Sequence, residues 1–265
     1  MLELHHNAAS SCSQKVRLVL AEKGLDYESH VVDLLAGAQH DAAYVKLNPN
    51  HVVPTLVHDG NVLIESSLID EYLEEVFPEV PLRPTGAAER HAIRLWVKQI
   101  DEKVHPAAGV LTYAIGPRKM VLQQPPEVRE RTIAEIPDAE RRAQRRSVIE
   151  HGVKAPEFAG ALQRFIGLLD RIEALVPAGG WLSGDRFGLA DVAALPYVLR
   201  LHHLAMTPLL EASVRPGVAD WFARAQARPS FETAVGAWLP APVVDLFRKN
   251  GEEVWPDVER LIRGA

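Results

Sequence analysis

Hydrophobic and polar positions recur along this chain with two different periods, and the change falls near residue 80. Residues 2–6 predict a short strand, and residues 16–23 carry apolar positions at helical spacing, ended by Gly24. Residues 27–34 predict a second strand through His30, Val31 and Val32, and residues 42–47 a short helix before the breaker pair Asn48-Pro49. Pro54 to His58, the turn Asp59-Gly60-Asn61, and Val62-Leu63-Ile64 predict a hairpin. From Ser66, the positions Leu68, Ile69, Tyr72, Leu73 and Val76 keep helical spacing as far as Pro78. The predicted order is βαβαββα.

Pro78, Pro81 and Pro84 with Gly86 form a stiff connection, which places a domain boundary between residues 1–80 and 87–265. Beyond it the pattern predicts helices only. Ile93, Trp96, Val97 and Ile100 make one apolar face, and Phe158, Leu162, Phe165, Ile166, Leu169 and Ile172 another. Further helices are predicted over residues 189–204 and 218–227. The stretch 117–156 interleaves arginines (Arg129, Arg131, Arg141, Arg142, Arg145, Arg146) with acids, which predicts a solvated helical excursion rather than an anion site. Composition narrows the class without naming a chemistry. With 47% hydrophobic residues, the 265-residue chain has ample material for cores. Its net charge of -6 argues against a globally basic, nucleic-acid-binding surface. No apolar run approaches the roughly 18–20 residues of a membrane span, and no secretory signal is expected ahead of Leu2-Glu3-Leu4. Cys12 is the only cysteine, so no disulfide forms within the chain, which fits a reducing, cytoplasmic compartment.

Three short strings carry candidate chemistry. Ser10-Ser11-Cys12-Ser13-Gln14-Lys15-Val16-Arg17 follows a strand and opens a helix. Its small polar residues either cap orphan backbone N–H groups or, with the same geometry, stabilise an anion above the helix start. A thiolate held there would have its pKa drawn down from roughly 8.5. In Asn48-Pro49-Asn50-His51-Val52-Val53-Pro54-Thr55-Leu56, the Val53-Pro54 bond reads as a trans edge residue or as a cis bond. The cis form would turn the Val53 main chain outward for an extended peptide ligand. In Glu65-Ser66-Ser67, Ser66 reads as a cap or as the holder of a ligand carboxylate, with Glu65 accepting from an ammonium.

In this order, within one βαβαββα unit, the strings resemble the glutathione transferases. Ser10-Ser11-Cys12-Ser13 with Val16-Arg17 is similar to the zeta class, and the segment 117–156 gives the chain a length resembling bacterial members related to β-etherases. The resemblance implies an α/β thioredoxin-like N-terminal domain plus an all-α C-terminal domain. It implies glutathione as co-substrate, a small hydrophobic electrophile as its partner, a homodimer, and a role in detoxification. Carried over position by position, Ser10 bonds the glutathione sulfur, and Val53 with Pro54 meets the cysteinyl part. Glu65 and Ser66 hold the γ-glutamyl end, and His40 reaches the glycyl carboxylate or is a plain surface histidine. Gly184-Asp185-Arg186-Phe187-Gly188-Leu189-Ala190-Asp191 is similar to the family's loop into a buried helix, but Gly188 stands where Ser or Thr is usual.

The expected function is conjugation of the glutathione thiolate to a hydrophobic electrophile. The alternatives are glutathione-dependent β-aryl ether cleavage, a maleylacetoacetate-type cis–trans isomerase, and a non-enzymatic interaction module. Cys12, two residues beyond Ser10, reads as a packed thiol or one supporting the site from behind, with a redox role as the alternative. Trp96, Tyr113 and Arg118 are candidates for lining the electrophile site or for plain core, and none is assigned to catalysis. No metal is implied, because no H-x-x-x-H spacing occurs within a helix.

Overall fold

The alternating segment Leu2-Glu3-Leu4-His5-His6 forms strand β1 (Leu2–His6), with Leu2, Leu4 and His6 buried, in the computed structural model of the chain, which describes residues 1–264. Three more strands complete one sheet: β2 (Glu28–Val31), β3 (Thr55–His58) and β4 (Asn61–Ile64). Their order is β2-β1-β3-β4, with β1 and β2 parallel and the other pairs antiparallel. The hairpin turns at Asp59 and Gly60, both at positive φ (50° and 83°), as an Asp-Gly turn requires.

Helices α1 (Ser11–Lys23), α2 (Ala42–Val45) and α3 (Ser66–Val76) join these strands in the predicted βαβαββα order. The later helices are α4 (Ala87–Gln99), α5 (His105–Ile115), α6 (Arg118–Gln123), α7 (Pro126–Ala134), α8 (Ala139–His151), α9 (Pro156–Leu175), α10 (Leu189–His203), α11 (Pro216–Gln226), α12 (Pro229–Phe231) and α13 (Ala241–Arg263). The chain divides into two compact units. One comprises Met1–Lys98, Pro177–Pro196 and Trp221–Leu239; the other comprises Gln99–Val176, Tyr197–Asp220 and the chain from Pro240 onward.

In the first unit α1 begins five residues before the apolar pattern does. Ser11, Ser13, Gln14, Lys15 and Arg17 are all buried in it. The buried Lys23 is paired: its Nζ lies 2.6 Å from Glu74 Oε2 and donates to the carbonyls of Phe77 and Val80, which ties the end of α1 to α3 and the chain after it. Gly188 is explained at the start of α10. A Cβ on this residue would lie 2.2 Å from the Leu82 carbonyl oxygen, so no hydroxyl-bearing residue fits. Ser183 supplies the missing hydroxyl, its Oγ accepting the Ala190 N–H at 3.0 Å. Asp191 keeps its half of the capping arrangement and accepts from the N–H groups of Leu182, Ser183 and Gly188, and from the Trp221 indole.

In the second unit α5 packs against α8 and α9, and the predicted face of α9 buries Phe158, Leu162, Phe165, Leu169 and Ile172. Ile166 is the exception to that prediction, being only partly buried. The charged stretch 117–156 folds as α6, α7 and α8 and is more than a solvated excursion. Arg131, Arg141 and Arg146 are exposed, yet Ile133, Val148 and Ile149 are buried. Asp138 caps α8 by accepting the Arg141 N–H at 2.7 Å. The long helix α13 seats Asn250 Nδ2 on the Gly116 carbonyl at 2.7 Å.

Candidate active site

Ser10 is the N-cap of α1, in extended conformation (φ -72°, ψ 120°), and its Oγ accepts the Ser13 N–H at 3.2 Å. Its own hydroxyl proton meets no acceptor among the described residues, so a donor is left over at a helix start. The loop behind it is built on Arg17. That guanidinium donates to the carbonyls of Asn7 at 3.0 Å, Ala8 at 3.1 Å and Ala234 at 2.6 Å, and to His6 Nδ1 at 2.8 Å. With Nδ1 accepting, His6 carries its proton on Nε2, which bonds Ser29 Oγ at 2.8 Å. Burial, then the Arg17 charge, lowers the His6 pKa to about 3, and burial lowers that of Arg17 to about 10. Arg17 faces no carboxylate among the described residues. Its positive charge therefore stands uncompensated behind the Ser10 loop, where it favours an anion.

The Val53–Pro54 bond is cis. On either side the chain is pinned: Tyr44 Oη and Asn48 Nδ2 donate to the Val52 carbonyl at 2.6 and 2.9 Å, and Asn48 Nδ2 donates to Thr55 Oγ1 at 3.1 Å. Between these anchors the N–H and C=O of Val53 have no partner among the described residues. The Val53 side chain is buried beside Val32 and Tyr44.

Glu65 sits at positive φ (69°) just before α3, and its side chain makes no capping bond. A non-glycine residue in that conformation costs of order 1–3 kcal/mol, which the surrounding structure must offset. The N–H groups of Ser66 and Ser67 have no partner among the described residues, while that of Leu68 donates to the Glu65 carbonyl at 2.9 Å, and the Ser66 side chain is buried beside them. Asn50 Nδ2 donates to Glu65 Oε1 at 3.3 Å, and Lys15 Nζ, from α1, donates to Ser67 Oγ at 2.5 Å. Half-buried His40 stands with its Nδ1 2.9 Å from Nδ1 of His51, itself at positive φ (55°). Side-chain bonds therefore link the His40 segment to the loop before Val53, that loop to Glu65, and the Ser10 helix to the Glu65-Ser66 helix.

Sequence reasoning quoted Arg17 and His51 within their strings but gave neither a role in the site. Arg17 carried a signal, a cation within the apolar run Val16 to Leu20; His51 carried none. Cys12 is half-buried. Trp96 is core, its indole N–H donating to the Ala190 carbonyl at 3.0 Å. Arg118 clamps the end of α8 by donating to the carbonyls of Ile149 and Glu150, both at 2.9 Å. Tyr113 lies under the Arg145 guanidinium, 3.2 Å from its ring centre.

Models of the glutathione S-transferase N-terminal and C-terminal domains match residues 9–76 and 138–224. The chain is 30% identical over 262 residues to the protein LigF of Sphingobium sp. strain SYK-6, covering 96% of this chain and 99% of that one. This chain belongs to the glutathione S-transferase family. As a glutathione S-transferase it is an enzyme whose co-substrate is glutathione. The crystal structure of the beta-etherase LigF from the same strain superposes with a TM-score of 0.80 at 28% identity, over 88% of this chain and 98% of that chain. Glutathione S-transferase TCHQD of Arabidopsis thaliana is 29% identical over 90% of this chain and 91% of its own. A maleylacetoacetate isomerase of Dictyostelium discoideum is 43% identical, but over 37% of this chain and 45% of its own. The transferase thus has the family's α/β sheet domain and helical domain, and no helix among its described residues is long and apolar enough to cross a membrane.

Proposed function

We propose that this transferase ionises glutathione at Ser10 and directs the thiolate at a hydrophobic electrophile, preferentially a carbon bearing an aryl ether. The unclaimed Ser10 hydroxyl would donate to the sulfur while the Arg17 charge lowers the cost of the anion. Val53 and Pro54 would meet the cysteinyl part through the open Val53 main chain. Ser66 and the first turn of α3 would take the γ-glutamyl carboxylate, Glu65 its ammonium, and His40 the glycyl carboxylate. In ether cleavage the sulfur forms a bond to carbon as the carbon–oxygen bond breaks, and the aryloxide leaves and is protonated from solvent. Ser10 is not consumed. Proximity and thiolate stabilisation supply the rate.

The observation carrying the choice of an aryl ether is the end-to-end correspondence with the beta-etherase LigF. Isomerisation is the second reading, favoured by the higher identity, over 99 residues, to a maleylacetoacetate isomerase. Assays with a β-aryl ether dimer, a small aryl halide and maleylacetone decide between them. Glutathione-dependent release of a phenol is expected; rapid maleylacetone turnover with no phenol would refute the ether reading. We also read the enzyme as a cytoplasmic homodimer serving detoxification, with residues 1–80 binding glutathione and 87–265 holding the electrophile. The single cysteine supports the reducing compartment.

A further inference from the structure

Of the three Glu-x-His triplets in this chain, Glu3-Leu4-His5 and Glu28-Ser29-His30 fall on strands, and Glu89-Arg90-His91 falls on a helix. The two copies lie on neighbouring strands in register. Parallel pairing of β1 and β2 sets Glu3 opposite Glu28 and His5 opposite His30. Because side chains alternate between faces along a strand, all four share one face of the sheet. The other face of β1 carries the buried Leu2, Leu4 and His6. The two imidazoles stack, with ring centres 4.6 Å apart and planes inclined by 15°.

We propose that Glu3, His5, Glu28 and His30 bind a divalent transition-metal ion of the zinc class. The Nε2 atom of His30 lies 3.5 Å from Glu3 Oε2 and 3.4 Å from Glu28 Oε1. Although shielded from solvent, it makes no hydrogen bond. Ligand atoms of Glu3, His5 and His30 all fall within 4.8 Å of one another. Tetrahedral zinc with bonds of about 2.0–2.1 Å separates its ligand atoms by roughly 3.4 Å. Two edges of that tetrahedron are therefore in place, and rotation of the His5 ring and a carboxylate brings in the rest. Two imidazoles with carboxylates select zinc, cobalt, nickel or copper over magnesium and calcium. The ion would staple the four-residue edge strand β2 to β1, the strand that leads into the Ser10 loop.

The test is zinc titration calorimetry on untagged, glutathione-free protein, with cobalt(II) absorption as a second probe. One zinc per chain is expected, with affinity falling at least about tenfold in His30→Ala and in His5→Ala, and less in Glu28→Gln. Zinc should raise the melting temperature of the parent but not of His30→Ala, while both melt alike in EDTA. The proposal is overturned if the parent binds no zinc, or if His5→Ala and His30→Ala bind it as the parent does. Loss confined to His51→Ala would also overturn it, by moving the ion to the His40–His51 pair.

Discussion

Ser10 performs two tasks with one oxygen: it accepts the Ser13 N–H and leaves its proton to donate. Ser10→Ala removes both, and the two losses are separable. Losing the cap costs about 1 kcal/mol of stability, which urea unfolding reads. Losing the donor raises the pKa of bound glutathione and lowers kcat/KM by about 10²-fold, the effect of removing one anion-stabilising donor. Thiolate absorbance against pH measures the first directly. Cys12→Ala is the control, since Cys12 sits two positions further into the helix. If the serine variant titrates like the parent while the cysteine variant shifts, the sulfur is activated elsewhere. The support beneath Ser10 is less easily seen in a sequence. Arg17 contributes through three main-chain carbonyls and one imidazole, partners that carry no sequence signal of their own and one of which, Ala234, lies 217 residues away.

The same distinction explains which elements were legible. The hairpin and α3 follow from local turn chemistry and apolar spacing, and they form where expected. The start of α1 lies outside the apolar spacing because its first residues are polar, and it was legible only from the small polar string beginning at Ser10. They are buried through their partners, which periodicity cannot see. Strand β2 is shorter than the apolar run predicts, and α13 was missed because Gly251 and Pro256 interrupt its pattern. Among the site strings, Ser10, Val53 and Glu65 were legible as sequence patterns, whereas the cross-strand pairing of Glu3, His5, Glu28 and His30 needs the register of β1 and β2. Gly188 shows how a family pattern can mislead. Restoring Ser there looks like repair of a capping box. Yet the new Cβ would meet the Leu82 carbonyl at 2.2 Å and Ser183 Oγ at 2.9 Å, and Ser183 already caps Ala190. Gly188→Ser is therefore expected to destabilise by about 1–3 kcal/mol, the usual cost of overpacking. An unchanged or raised unfolding midpoint in urea would show that the Leu82 segment yields.

Stability of the whole chain should fall on mild acidification, before carboxylates titrate, because of histidines buried in each unit. His6 in the first unit and His203 in the second are both held near a pKa of about 3. Burial is the larger cause in each, followed by a neighbouring guanidinium, Arg17 for His6 and Arg200 for His203. In the unfolded chain each takes up a proton at about pH 6.5. Between about 6.5 and 3 the unfolded state therefore binds more protons than the folded one, and stability declines as pH falls through that window. Above about 6.5 both states are neutral at these positions and the contribution is flat. Each histidine adds at most about 1.4 kcal/mol per pH unit to the slope. Urea unfolding at a series of pH values between about 7.5 and 5 measures it. His6→Gln and His203→Gln should each flatten the curve while leaving a slope from the other. Equal slopes in the parent and both variants would mean that these imidazoles become protonated without unfolding the chain.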